Sequence, residues 1–322
     1  MGTIEDDGWR QAMRQGDFPS AWRISDRILA QRLARYERQA HLPRHLQSVW
    51  NGDPLAGKRV LVRCYHGLGD TVQYIRFARN LRRLARDVAV WVQPSLQSLV
   101  TSAAGVDHVM PLHDGTPDLD YDADIEIMEL AHALRITAHD LPGPTPYLHA
   151  PPTHRPICGP DRLTVGLVWS GGDWDPRRSI PLAMFGALLR LPDIQFVSMQ
   201  RGPASAQCSE VDIADASTDD VDGFAARLRG LDLLLSIDTF GAHLGGALGV
   251  PVWLMLHSDP DWRWMDDGDT SPWYPTMRLF RQRRMGQWDD VIADVAASLS
   301  QYASSRSAEK GRNKAIDLTF DP

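Results

Sequence analysis

Apolar side chains in residues 7 to 50 recur at helical spacing: Trp9, Ala12 and Met13 first, then Ala21, Trp22, Ile28 and Leu29 after a break at Gly16-Asp17. This predicts a helical hairpin over residues 1–52, ended by the turn-forming Asn51-Gly-Asp-Pro. From Lys58 the period changes. Short β-rich runs at 59–64, 88–92, 108–112 and 125–128 alternate with helical patterns at 71–85 and 96–103. A second series repeats the alternation, with strands at 164–169, 195–199, 231–237 and 251–256 and helices near 183–191, 221–228 and 242–248. Such alternation predicts parallel sheets wrapped by helices. Between the two series, residues 141–160 carry prolines at 142, 144, 146, 151, 152, 156 and 160, and read as an interdomain linker. The expected domains are therefore 53–150 and 151–302, facing each other across a cleft. The polar stretch from Ala303, expected to be a disordered tail, occupies 303–322.

Four segments carry candidate chemistry. His66-Gly67-Leu68-Gly69-Asp70-Thr71 joins a strand to a helix; its glycines allow a tight turn, and Asp70 is either the helix N-cap or a carboxylate facing the cleft. In Ser236 to Pro251, an apolar strand ends in Asp238-Thr239 and opens a helix through Gly241, Ala242 and His243. Helix N-termini present unpaired amides and partial positive charge, which suits a diphosphate. Trp169 to Pro181 holds a Ser170-Gly171-Gly172 turn with Arg177 and Arg178, whose paired N–H donors suit an anionic leaving group. The aromatic cluster of Trp262, Trp264, Trp273 and Tyr274 reads equally as a stacking wall for a base or sugar and as a plug in the interdomain seam.

Composition narrows the classes. The 322 residues carry 34 basic and 41 acidic side chains, a net charge of −7, with no basic stripe, which argues against nucleic acid as a partner. No apolar run approaches the length of a membrane span, and the acidic N-terminus is unlike a signal peptide, so a cytoplasmic location is expected. Cys64, Cys158 and Cys208 are too far apart for a disulfide framework or cysteine zinc site and read as buried thiols. No metal is expected: Pro43 interrupts the His41/His45 pair, and in the Asp118-Asp120-Asp122 run Ala123 stands where a calcium loop needs glycine.

Taken together, Gly67-Leu68-Gly69-Asp70, Val165 to Trp169, Asp238-Thr239 with His243, and Ala247-Leu-Gly-Val-Pro251 resemble glycosyltransferase family 9, the heptosyltransferase-like enzymes. Ser198-Met-Gln-Arg-Gly202 and the segment from Trp262 to Tyr274 look like the branch of that family fused to tetratricopeptide repeats, which the single N-terminal hairpin also resembles. The resemblance implies a GT-B fold: α/β, two Rossmann-like domains facing across a cleft, here with a short N-terminal helical segment. It also implies an inverting transfer without catalytic metal or cofactor, from a nucleotide-sugar donor to a glycan, polypeptide or small-molecule acceptor. By the resemblance Asp70 is the general base, with Gly67 and Gly69 on the acceptor side. Ser170, Gly171 and Arg177 or Arg178 contact the phosphates, and Asp238, Thr239, Gly241, Ala242 and His243 hold the donor. The family's usual phosphate-binding Lys is replaced by Arg177-Arg178, and Phe240 stands where glycine usually follows Asp-Thr. Two other classes fit the same residues: a non-catalytic scaffold that contacts a partner protein through its N-terminal helices, and a nucleotide-sugar epimerase or hydrolase.

Overall fold

A computed structural model describes residues 4–34, 49–151 and 162–317 except 174 and 212, with side chains from 7 to 306. His41, His45 and Cys158 lie outside these residues. Two helices open the chain, α1 (Ile4–Arg14) and α2 (Phe18–Ala34). The first lobe comprises β1 (Arg59–Arg63), α3 (Leu68–Tyr74), α4 (Ala78–Arg82), β2 (Asp87–Val92), α5 (Gln97–Thr101), β3 (His108–Pro111), β4 (Ala123–Glu126) and α6 (Leu130–Ala133). The second comprises β5 (Leu163–Leu167), β6 (Ile194–Ser198), β7 (Ala214–Asp215), α7 (Val221–Leu228), β8 (Leu233–Ile237), α8 (Phe240–Ala247), β9 (Val252–Leu256) and β10 (Met277–Arg281). The long α9 (Asp289–Asp317) closes it.

Both sheets are parallel throughout, in the orders β3-β2-β1-β4 and β10-β9-β8-β5-β6-β7. The central strands are almost wholly apolar, with only Thr164 and Ser236 as polar members, and are buried on both faces, as a sheet covered by crossovers requires. In each sheet the chain runs outward in one direction and then reverses to the other side, between β1 and edge strand β4 in the first and between β5 and β8 in the second. Ligands in open parallel sheets bind beyond the strand ends at such reversals. The segments singled out in the sequence sit there: residues 66–70 follow β1, 168–178 follow β5, and 238–243 follow β8.

Several elements depart from the sequence expectation. The helix expected over 71–85 starts earlier, at Leu68, and tightens to a 3-10 turn at Ile75–Phe77, where the Arg76 side chain donates to the Gln73 carbonyl (2.7 Å). The helix expected near 183–191 is two 3-10 turns, Leu182–Phe185 and Leu188–Arg190; Pro181 precedes the first and Gly186, a poor helix former, separates them. Residues 303–317, read from composition as a disordered tail, continue α9; the stretch lacks proline and is rich in Ala, Ser, Lys and Arg, all compatible with a helix. Cys64 is fully buried, whereas Cys208 is only partly so. Among the described residues no helix is long and apolar enough to cross a membrane.

The lobes are joined by more than the proline-rich segment. One continuous apolar cluster runs from the hairpin (Met13, Phe18, Trp22) through the first sheet's helical face to Trp262, Trp264, Trp273 and Tyr274. Trp9 meets Trp262 edge to face at 5.1 Å, and Trp22 donates to the Ile136 carbonyl (2.7 Å). Arg14 pairs with Asp259 (2.8 Å) on the second lobe, while Asp26 pairs with His132 (2.8 Å) and Arg135 (2.7 Å) on the first. The hairpin thus packs across both lobes. Helix α3 lies against α8 through Gly69, where a Cβ would come within 3.0 Å of the His243 ring.

Candidate active site

A cleft of about 910 Å³ lies between the sheet ends. The first lobe contributes His66 to Asp70 and Met128; the second contributes the turn from Ser170 to Asp173, Arg178, the segment from Met199 to Ala204, and Asp238, Thr239, Phe240, Gly241 and His243.

Asp70 occupies the third position of α3, and Gly67, not Asp70, is the N-cap. With no side chain on the cap, capping runs one way: the Gly67 amide donates to Asp70 Oδ2 (3.1 Å). Oδ1 accepts from Arg263 Nη2 (2.7 Å), which reaches over from the second lobe. The same guanidinium donates to Gln73 Oε1 (2.7 Å) and to Asp261 Oδ1 (2.8 Å), so Arg263 is locked in place. A carboxylate offers about four lone-pair sites, so these two bonds orient Asp70 and leave it able to accept from a substrate hydroxyl. The capping and cleft-facing roles coexist.

Behind this loop Glu126 ends β4. Its Oε2 accepts from the Met128 amide (2.7 Å) and stands 3.5 Å from His66 Nε2, while Oε1 has no partner. Burial pushes its carboxyl up to about 8; the Met128 amide opposes that shift, while the charges of Glu129 and Asp70 add to it. Glu126 is therefore a neutral acid at neutral pH.

On the second lobe, Asp175 caps a 3-10 turn at Pro176–Arg178 that separates the two arginines. Arg178 is buried, donates to the carbonyls of Asp238 (2.8 Å) and Asp175 (3.3 Å), and lies under Gly171, where a Cβ would sit 3.4 Å from Nη2. Arg177 is not among the cleft-lining residues: it forms a two-point pair with Asp175 (2.8 Å each) and a further pair with Asp259 (3.3 Å). The amides of Ser170 and Gly171 are already bound, to Gln200 Oε1 (2.9 Å) and Ser179 Oγ (3.1 Å), so these residues offer the cleft a hydroxyl and open space. Ala242 does not line the cleft either; it is fully buried and its amide bonds to the Thr239 carbonyl (3.1 Å).

Asp238 and His243 form the floor. Burial raises Asp238 to about 6, with the Asp261 charge adding to it. His243 Nε2 faces its Oδ1 at 3.7 Å, and Nδ1 bonds the Tyr274 hydroxyl (2.8 Å). Burial holds His243 neutral, and the positive charges of Arg263, Arg76 and Arg178 reinforce this. The aromatic cluster resolves as a plug: Trp262, Trp264, Trp273 and Tyr274 are all buried, and within Trp262-Arg263-Trp264 only the arginine lines the cleft. Arg263, Glu126 and Arg201 are site residues to which the sequence assigned no role. Their one local signal is position, each lying close to a strand end or flanked by the tryptophans. Among the described residues no three His, Cys, Asp or Glu side chains gather as a metal site would require.

Two all-parallel lobes whose strand ends meet over one cleft define the GT-B class, and the chain has the fold of the family 9 glycosyltransferases. The ADP-heptose LPS heptosyltransferase II of E. coli superposes with a TM-score of 0.58 at 13% identity, over 77% of this chain and 99% of that one. The glycosyl transferase family 9 protein of Veillonella parvula gives 0.51 at 15% identity, over 71% and 87%. In sequence, the Caulobacter vibrioides protein FlbA is 25% identical over 299 aligned positions, covering 80% of this chain and 48% of FlbA. The chain thus spans about half the length of that curated relative. No family model matches.

Proposed function

We propose that the protein is a glycosyltransferase that moves a sugar from a nucleoside-diphosphate donor, held by the second lobe, to a hydroxyl of an acceptor in the first. The observation that carries this reading is the division of the cleft: an oriented carboxylate at the end of β1 faces guanidinium groups and a helix N-terminus at the ends of β5 and β8. A similar fold in a protein named as an ADP-heptose transferase supports the donor class.

In this mechanism the acceptor hydroxyl attacks the anomeric carbon as the bond to the diphosphate breaks, and Asp70 takes the hydroxyl proton. A single displacement inverts the anomeric configuration and needs one base, worth roughly 10² to 10⁴ in rate. Charge growing on the leaving diphosphate is met by Arg178, the Ser170 hydroxyl and the first amides of α8, with Thr239 and Gly241 beside them; no metal is required. Asp238 and His243 bind the ribose or sugar hydroxyls. The acceptor is a glycan, polypeptide or small molecule, and the reaction is placed in the cytoplasm.

The test is turnover of a panel of ADP-, UDP-, GDP- and CDP-sugars in EDTA, with candidate acceptors and NMR assignment of the product anomer. Acceptor-dependent, inverted product supports the reading. Donor consumption at the same rate without acceptor would favour a hydrolase or epimerase, and binding without consumption a scaffold.

A further inference from the structure

Three arginines line the cleft, and they differ in what holds them. Arg263 is matched by the carboxylates of Asp70 and Asp261 (2.7 and 2.8 Å). Arg178 is tied to main-chain carbonyls as described above. Arg201, in the turn after β6, has no carboxylate partner among the described residues. Its side chain's one hydrogen bond there runs from Nη2 to the Asp219 carbonyl (2.8 Å), and its Nε is buried without a partner among them. Asp219 also lines the cleft, yet it offers Arg201 its main-chain oxygen and not its carboxylate.

The guanidinium is nevertheless held firmly. It lies over the rings of Phe224 (5.6 Å) and Phe240 (5.4 Å), which stack on each other at 6.1 Å and 28°. Gln200 fixes the turn: its Nε2 donates to the carbonyls of Ser170 (3.0 Å) and Arg201 (2.8 Å), and its Oε1 accepts the amides of Trp169 and Ser170 (3.0 and 2.9 Å). A half-buried cation with unused donors, set rigidly in a cleft, is suited to an anion, because the ordering cost of the long side chain is already met by the fold. The Phe240 ring belongs to the first residue of α8, which places the guanidinium beside the amides assigned above to the diphosphate.

We propose that Arg201 grips a phosphate of the donor's nucleoside diphosphate, opposite Arg178. The assignment rests on the donor-site reading of this cleft. It makes Phe240, which stands where the resembling family has glycine, the support that aims the cation.

Calorimetric titration of ADP, UDP, GDP and CDP and the matching nucleosides into wild type, Arg201→Met and Arg201→Lys tests it. Methionine keeps an apolar stem over the two rings and removes the charge. The expected result for Arg201→Met is a loss of roughly 10- to 100-fold in affinity for the preferred diphosphate, as for hydrogen bonds to charged groups, with nucleoside affinity unchanged. Arg201→Lys, which keeps the charge without the fork, should lose about three- to tenfold, and it carries the test should the methionine variant not fold. Unchanged diphosphate affinity in the lysine and methionine variants would make Arg201 a structural staple and overturn the assignment. Equal losses for nucleoside and diphosphate would also overturn it, placing the contact at the base or ribose. A wild type that binds none of these nucleotides would instead overturn the donor-site reading itself.

Discussion

The ends of the two sheets are built alike and charged differently. Each is a reversal point in a parallel sheet, with a glycine-containing turn leading on from a central strand. The first lobe lines the cleft with Asp70 and His66, with the buried Glu126 behind them; the second lines it with Arg178, Arg201 and Arg263 alongside Asp173, Asp219, Asp238, Asp261 and a neutral His243, so the cations lie on that side alone. In the proposed transfer the same backbone geometry would serve opposite ends of the displacement, one side to accept a proton and the other to receive negative charge. One residue crosses the division: Arg263 belongs to the second lobe but orients the carboxylate of the first. One of the two bonds that orient Asp70, the one from Arg263, therefore depends on the packing of the lobes, while the Gly67 amide holds the other oxygen from within the first lobe.

The largest way to break this contrast is to remove its acidic member. Asp70→Asn keeps the shape and an oxygen for the Gly67 amide but cannot take a proton. Turnover should fall by roughly 10² to 10⁴ while diphosphate affinity stays within about twofold. Stopped-time product assays and calorimetry on one preparation read both quantities; near-normal turnover would remove Asp70 as the base.

Glu126 gives the next effect, on stability. Its carboxyl moves from an ordinary 4.5 in the unfolded chain to about 8 in the fold, so between those values the native state keeps a proton that the unfolded state has released. Unfolding free energy then falls as pH rises through that window, and the loss is complete above about 8. Glu126→Gln cannot ionise and escapes this loss. Relative to wild type it should gain on the order of 4 kcal/mol between pH 4.5 and 8.5 in urea titrations. Cys64, His66, Asp70 and Glu129 surround the group and are the same in both proteins, so the difference isolates position 126. Parallel stability curves for the two proteins would show that Glu126 is ionised in the fold.

These contrasts were unevenly legible in the sequence. Runs such as Val60-Leu-Val62 and Leu233 to Ile237 announce buried parallel strands, and residues 221–228 form a helix with the expected ends. The Asp70 turn could be found because glycine, strand and helix meet in one local pattern. Arg263 could not be assigned to it, because the partners lie 193 residues apart and only the packing of the lobes brings them together. Nor does the sequence show that Glu126 lies under His66, since that follows from β4 pairing with β1. Composition misled at the C-terminus, where a polar stretch continues a helix begun by buried Val291, Ile292, Val295 and Leu299.

On the cationic side, Arg178→Ala should weaken diphosphate binding by roughly 10- to 100-fold, because it removes a buried guanidinium that the fold holds beneath the cleft. Thermal unfolding with and without diphosphate would check it: wild type should gain a ligand shift that the variant loses at equal concentration.

Arg177→Ala sharpens the comparison by having almost no effect. Adjacent residues in a 3-10 turn point in different directions, and here one meets the cleft while its neighbour pairs with Asp175 and Asp259. Arg177 is 47% exposed, and ion pairs at that exposure contribute about 0 to 1 kcal/mol. Asp259 also keeps Arg14 as a partner in the variant. The melting temperature should therefore drop by no more than about 4 °C, and diphosphate affinity should stay within about twofold. A tenfold loss of affinity would mean that Arg177 leaves Asp175 for the ligand, and that the two arginines act as a pair rather than as one anchor and one surface clasp.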